Sequence, residues 1–382
     1  MANNNDNKVL NVPHLRFPEF SGEWKMCTIG ELTTKVGSGV TPRGGEAVYK
    51  TEGHPFVRSQ NVGLGNLLLD DIAFIDEETH LRQKNTELQF NDVLLNITGA
   101  SIGRSALVDK QIVGGNVNQH VCIIRTKENL VPSFICSFLL SNYGQRQIDS
   151  FQAGGNRQGL NFEQIKSIKI TIPSKDEQIK IAKLLRAIDE RIAIQNKIID
   201  KLQSLIKGIA QNVARNNKPN IRLSECLECS SSTLQESDVC KNGTYPVYGA
   251  NGIVGYLDNY NTEKEAVYII KDGSGVGTVS YVTGKCSATG TLNTLQAKEG
   301  YSLQYLYYML KVFNFEPYKT STAIPHIYFK DYGKAKIFCP SYTEQLKYAR
   351  LLSAIDNKLS AEQSILTDLS LQKQYLLRQM FI

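Results

Sequence analysis

Histidine is scarce in this sequence: five residues (14, 54, 80, 120 and 326) are spread over 382 positions, and none pair at helical spacing. That excludes a two-histidine helical metal site. Eight cysteines (27, 122, 136, 226, 229, 240, 286 and 339) are too few and too scattered for a disulfide scaffold in a chain of this length, and they read as reduced thiols. Cys226-x-x-Cys229 with Cys240 and Cys286 lacks the second close pair that a structural zinc site uses. No apolar run approaches the roughly 18 residues of a membrane span. The polar start, Met1-Ala-Asn-Asn-Asn-Asp-Asn-Lys8, lacks the basic-then-apolar order of a secretory signal, so a frayed tail and a cytoplasmic location are expected.

Catalytic signatures are missing too. There is no Gly-x-x-x-x-Gly-Lys-Ser/Thr loop for ATP. The Asn/Asp-Pro-Pro-aromatic string of an adenine methyltransferase is also missing, and the nearest string, Asn96-Ile-Thr-Gly99, has no proline. Gly273-Ser-Gly-Val-Gly277 has the wrong spacing for a dinucleotide fingerprint and reads as a turn between strands. Asp258, Glu263 and Lys264 could be assembled into a nuclease cluster, but they read equally well as solvated loop. No enzymatic activity of this chain is expected.

What the sequence does contain is itself, twice. Ile172-Pro-Ser-Lys-Asp-Glu-Gln-Ile-Lys-Ile-Ala-Lys-Leu-Leu-Arg-Ala-Ile-Asp189 recurs as Cys339-Pro-Ser-Tyr-Thr-Glu-Gln-Leu-Lys-Tyr-Ala-Arg-Leu-Leu-Ser-Ala-Ile-Asp356, at a constant offset of 167 without a gap. Each copy opens a long amphipathic helix. Leu185, Ile188, Ile192, Gln195, Ile199, Leu202, Ile206, Ile209 and Val213 alternate steps of three and four. Leu352, Ile355, Leu359, Glu362, Leu366, Leu369, Lys373, Leu376 and Met380 keep the same register. Ser174 with Glu177, and Ser341 with Glu344, have the spacing of capping boxes. A helix of about 40 residues spans roughly 60 Å, more than a compact domain needs, so each helix is expected to act as a spacer and to pair antiparallel with the other.

The segments before each helix repeat more loosely. His54–Val62, Asp92–Gly103 and Val113–Val121 align with Tyr245–Gly255, Ala266–Gly277 and Ser287–Leu295. Their β-branched and aromatic runs, cut by Gly and Asn, indicate short strands. A helical stretch follows in each half (132–143 and 303–313), then a polar loop and a last strand. The expected architecture is α+β: a tail (1–12), a β-rich mixed domain (13–172), a long helix (173–216), a second such domain (217–339) and a second long helix (340–382).

The formal charge of +6 is mild, and the segment 173–215 alone carries nine basic against five acidic residues. Any nucleic-acid surface in the globular parts must therefore be local. The turns offer side chains of the Arg and Asn/Gln classes that pair with guanine and adenine edges. They are Arg58, Gln60, Asn61, Asn116, Asn118, Gln119, Arg157 and Gln158 in the first half. In the second half they are Tyr248, Asn251, Lys271, Thr291, Asn293, His326 and Lys330.

Tyr245-Pro-Val-Tyr-Gly-Ala-Asn-Gly-Ile-Val-Gly-Tyr256, the Pro-Ser-x-x-Glu-Gln helix starts and Pro13-His-Leu-Arg-Phe-Pro-Glu-Phe-Ser-Gly-Glu-Trp24 together make the chain resemble the specificity (S) subunit of type I restriction-modification systems. The resemblance implies two target recognition domains that each read one half of a bipartite DNA site, held apart by two antiparallel helices. It further implies two methyltransferase (M) subunits bound to those helices and two motor-nuclease (R) subunits, with S-adenosylmethionine, ATP and magnesium on the partners and none in this chain. The alternative reading is a duplicated binding or scaffold protein with no DNA role.

Overall fold

The computed structural model describes residues 11–152, 159–273, 275–320 and 325–382. Contacts divide the chain into two units: residues 1–194 with 366–382, and residues 195–365. Both long helices cross this division. The central helix runs Lys175–Arg215 and the C-terminal helix Tyr342–Gln379.

The two units share one sheet plan. In the first, a four-stranded antiparallel sheet has the order Thr33–Ser38, Val121–Thr126, Val93–Asn96, Ser105–Leu107. In the second, the order is Leu227–Ser231, Leu292–Ala297, Glu265–Ile270, Val279–Thr283. A three-stranded sheet accompanies each. His54–Val57 lies between antiparallel Ala73–Ile75 and parallel Asn116–Val117. Tyr245–Gly249 lies between antiparallel Gly252–Leu257 and parallel Ser287–Ala288. The aligned pairs Phe56/Asn116 and Val247/Ser287 fix which residues correspond. By that register Asn118 corresponds to Thr289 and His120 to Thr291. The third aligned block is therefore shifted by three residues from the sequence expectation, because parallel pairing of the short strand, not the glycines beside it, sets the register.

The first core gathers Val93, Leu95, Cys122, Ile124, Phe134, Phe138 and Ile170 with Ile181, Leu185 and Ile188 of the central helix, with Leu376 and Leu377 of the C-terminal one, and with Met380 and Phe381 just beyond its end. Phe381 is fully buried, its ring 5.2 Å from Phe134 and 6.2 Å from Phe138. The helical stretch expected at 132–143 is two helices, Pro132–Leu140 and Asn142–Ser150. Buried Ser141 divides them, its Oγ accepting from Gly144 N–H at 3.3 Å, so the second helix begins with its own cap.

The starts of the long helices explain their repeated motif. Gln178 is buried; its Oε1 accepts from Val131 N–H at 2.9 Å while Nε2 donates to Asn129 O and Pro173 O. Gln345 repeats the arrangement, accepting from Ser302 N–H at 2.9 Å and donating to Pro340 O. Each therefore ties its long helix to the N-cap of an earlier helix of the same unit, Pro132–Leu140 or Leu303–Lys311. The capping boxes differ from expectation. Ser174 Oγ does accept from Glu177 N–H, at 3.4 Å, but the Glu177 carboxylate is taken by Arg16 at 2.7 and 2.8 Å, because a buried carboxylate gains more from a bidentate guanidinium than from one amide.

Within the first unit the two helices run antiparallel, with Asp189 Oδ1 2.5 Å from Lys373 Nζ and Thr171 Oγ1 donating to Ile382 O. Lys373 also donates to Leu64 O at 3.1 Å. Gly65 beside it has φ +99° and lies close to Asp189, Lys373 and Leu140, so the loop reaches the helices only with glycine there. In the second unit Gln195 meets Glu362. Leu185, Ile188, Ile199, Leu352 and Leu359 of the seam are buried, and Ile192, Leu202, Ile355, Leu366 and Leu369 are partly buried. No helix among the described residues is long and apolar enough to cross a membrane.

Candidate nucleic-acid interface

Three strand ends converge in each unit, and the backbone bonds that hold them repeat. In the first, Asn118 N–H donates to Val57 O, Ile97 N–H to His120 O and Leu160 N–H to Ile97 O, at 3.0, 3.0 and 2.9 Å. In the second, Thr289 N–H donates to Tyr248 O, Lys271 N–H to Thr291 O and Ile327 N–H to Lys271 O, at 2.9, 3.0 and 3.0 Å. The isolated bridges Thr98/Gly159 and Asp272/His326 complete the match. Two separate stretches of sequence thus build the same cluster of loops.

Side chains fill the two clusters differently. In the first unit Arg58 and Gln60 both bond Asp71. Exposed Gln119 stands beside His120, whose Nδ1 is 2.6 Å from Thr98 Oγ1. Asn118 is buried but accepts from His120 N–H at 3.0 Å, so it shapes this turn. In the second unit His326 Nδ1 is 2.5 Å from Asp272 Oδ1, and Lys271 Nζ lies 3.7 Å from Asp272 Oδ2. Thr291 shares a 2.8 Å hydroxyl bond with Thr289. Exposed Lys330 lies over the Tyr328 ring, 5.2 Å from its centroid, and that ring stacks near His326. Asn251 is exposed in the turn after Tyr245–Gly249, while Tyr248 is half-buried against Tyr268 and its hydroxyl is held above its ordinary pKa by burial.

Three expected readers serve the interior instead. Asn116 is fully buried, its Oδ1 2.7 Å from His80 Nδ1 and its Nδ2 donating to Gln83 O and Thr86 Oγ1. Asn61 is buried, accepting from Arg58 N–H and donating to Leu68 O and Asp71 O. Asn293 lies inside the strand Leu292–Ala297 rather than in a turn; its Nδ2 donates to Tyr332 Oη and its Oδ1 accepts from Ser231. A buried amide must spend its hydrogen bonds on the protein, which removes it from a solvent-facing surface. Arg157 and Gln158 lie outside the described residues.

A family model described as the type I restriction modification DNA specificity domain matches the chain twice, over residues 21–204 and 219–370. The chain belongs to this family. A type I specificity subunit of Mycoplasma genitalium is 25% identical over 315 residues, covering 76% of this chain and 81% of that protein. The EcoKI specificity subunit of Escherichia coli K12 is 22% identical over 202 residues, covering 50% of this chain and 41% of its own length. The crystal structure of the S subunit from M. genitalium has the same fold, with a TM-score of 0.68 at 20% identity, covering 97% of this chain and 99% of that one. A chain from a structural study of complex assembly and conformational transition of the type I R-M system superposes with a TM-score of 0.54 at 16% identity, covering 93% and 96%.

As a pair of specificity domains, the chain shows three residues at the strand ends that sequence reasoning passed over: Asp71, His120 and Asp272. Each is tied to a neighbour rather than to a motif. The available signal was positional, since Thr98 and Asp272 occupy matching places in the second aligned block and each engages an imidazole, His120 or His326. Burial pushes the Cys226 thiol up to about 12 and that of Cys229 up to about 11, so both stay protonated at neutral pH.

Proposed function

We propose that this chain is the DNA-specificity subunit of a type I restriction-modification complex, and that each specificity domain reads one half of a bipartite duplex site through its strand-end loops. The observation that carries this is the repeated set of backbone bonds around side chains that differ, which suits two readers of unlike sequence built on one frame. Arg58, Gln60 and Gln119 are the readers proposed for the first domain, on a turn that buried Asn118 shapes, with Tyr248, Asn251, Lys271, Thr291, His326 and Lys330 for the second. Arg and Gln pair with base edges, while Lys330 over its tyrosine suits a phosphate.

The long helices set the distance between the half-sites and dock two methyltransferase subunits; two motor-nuclease subunits complete the assembly. Large apolar side chains left in solvent along the helices support this, among them Ile194 and Leu205 on the central helix and Leu351, Ile365, Leu371 and Tyr375 on the C-terminal one. S-adenosylmethionine, ATP and magnesium belong on those partners, and the complex methylates adenine and cleaves unmodified DNA.

Co-expression with the neighbouring genes, followed by methylome sequencing, tests the proposal. A bipartite adenine-methylation motif with a fixed gap is expected. No new methylation, together with no salt-dependent affinity for duplex DNA, would instead support a duplicated scaffold without a DNA role.

A further inference from the structure

Asp71 is an anion placed where a DNA-reading surface should be basic. Its side chain is 76% exposed, yet three of the first domain's polar side chains converge on it. Arg58 Nη2 donates to its backbone carbonyl at 2.7 Å and lies 3.2 Å from Oδ2. Gln60 Nε2 donates to the same Oδ2, and Asn61 Nδ2 donates to the carbonyl at 3.2 Å. The Arg58 guanidinium also lies over the Tyr49 ring, 5.3 Å from its centroid, and its Nε is buried without a partner.

These contacts fix more than position. With Nη2 committed and Nε enclosed, Nη1 is the end of Arg58 with no partner among the described residues. With Nε2 on the carboxylate, the amide of Gln60 is held in one of its two orientations, so Oε1 and the second Nε2 hydrogen are its remaining bonding groups. An arginine or glutamine free to rotate can satisfy several base edges. One locked by a neighbour satisfies few.

We infer that Asp71 is a positioning residue for base selection in the first domain: its carboxylate holds Arg58 and Gln60 in the one presentation that matches their purine edge. The inference rests on the reading that these two side chains contact DNA. A charge argument makes it testable. A carboxylate near phosphates weakens binding to any duplex, so removing it raises or preserves sequence-independent affinity while discrimination falls. Structural damage would lower both together.

The test compares the full-length chain with Asp71→Asn and Asp71→Ala, selecting from a pool of duplexes with randomised interiors and then measuring affinity for selected and unselected duplexes across salt concentrations. Asn keeps the volume and Ala removes the group, and thermal melting reports on folding. Both variants are expected to lose about ten-fold in discrimination at the base positions that Arg58→Ala and Gln60→Ala also relax. The second half-site should be unchanged and affinity for unselected duplex equal or higher. Retained discrimination in both Asp71 variants, with Arg58→Ala relaxed, overturns the inference alone. If Arg58→Ala and Gln60→Ala also leave the preference intact, the contact reading falls and the inference with it. A parallel fall for selected and unselected duplex overturns it in favour of a structural role.

Discussion

Gln195 donates through Nε2 to the backbone carbonyl of Glu362 at 3.0 Å, and these two residues stand 167 positions apart, the offset of the repeat itself. Where two copies of one helix cross antiparallel, equivalent positions meet. The contact also includes the Glu362 carboxylate, which accepts from Gln195 and pairs with Lys358. A polar pair in an apolar seam fixes register at some cost in stability.

That pair gives the seam an acid sensitivity. Lys358 first, then Gln195, bond the charged form of Glu362 and hold its carboxyl below the ordinary 4.5. A group with a lowered folded pKa stabilises fully above its unfolded value and loses that contribution as pH falls through the folded value. Melting curves of the parent should therefore fall more steeply below about pH 4.5 than those of Glu362→Gln. Equal slopes would remove Glu362 from the seam's energetics.

The duplicated glutamines should act locally. Gln178→Ala leaves Val131 N–H unpaired inside the first unit, and Gln345→Ala does the same to Ser302 N–H in the second. Each is expected to cost about 1–3 kcal/mol. Hydrogen exchange should quicken at Pro132–Leu140 in one variant and at Leu303–Lys311 in the other, and quickening at both in either variant would contradict local anchoring.

Arg125 and Asp92 form a bidentate pair, both bonds 2.7 Å, with the carboxylate buried under the first sheet. Asp92→Ala leaves the partly buried guanidinium with Glu87 O, at 3.1 Å, as its remaining acceptor and should destabilise by about 1.5–3 kcal/mol in urea titration. A loss under 1 kcal/mol would mean that Glu87 and water replace the carboxylate in full.

The reading loops and the interior amides should separate cleanly. Gln119→Ala should relax a base position of one half-site, and His326→Ala a position of the other, each by about 1–3 kcal/mol. Asn293→Ala should lower stability and leave base preference alone, since its bonds go to Tyr332 and Ser231. Selection from random duplexes reads all three; relaxed preference in the Asn293 variant would return that residue to the surface.

Thiol labelling checks the core. Cys240 is exposed, whereas Cys122 and Cys136 are buried and pushed up to about 12 and about 11. Alkylation at pH 8 should mark Cys240 within the native protein and reach the other two only on unfolding.

The two-part plan and the helix register were legible in the sequence because they rest on a gapless repeat and on three-and-four spacing of Leu and Ile. The site was legible only as a set of residue types. Asn116 and Gln119 lie three positions apart, yet one faces His80 in the core and the other is exposed, because the parallel strand Asn116–Val117 ends between them. Asp71 carried no signal at all, since its role lies in side chains ten and more positions away.

Phe381 has a consequence for the order in which the protein can be made. Its ring joins Leu376, Leu377 and Met380 in a core otherwise drawn from residues before 195, so the unit whose chain leaves the ribosome first cannot close until the whole second unit has followed it. Until then Phe134 and Phe138 stay partly uncovered, and a message broken before residue 376 would yield a product whose fault lies in the first unit.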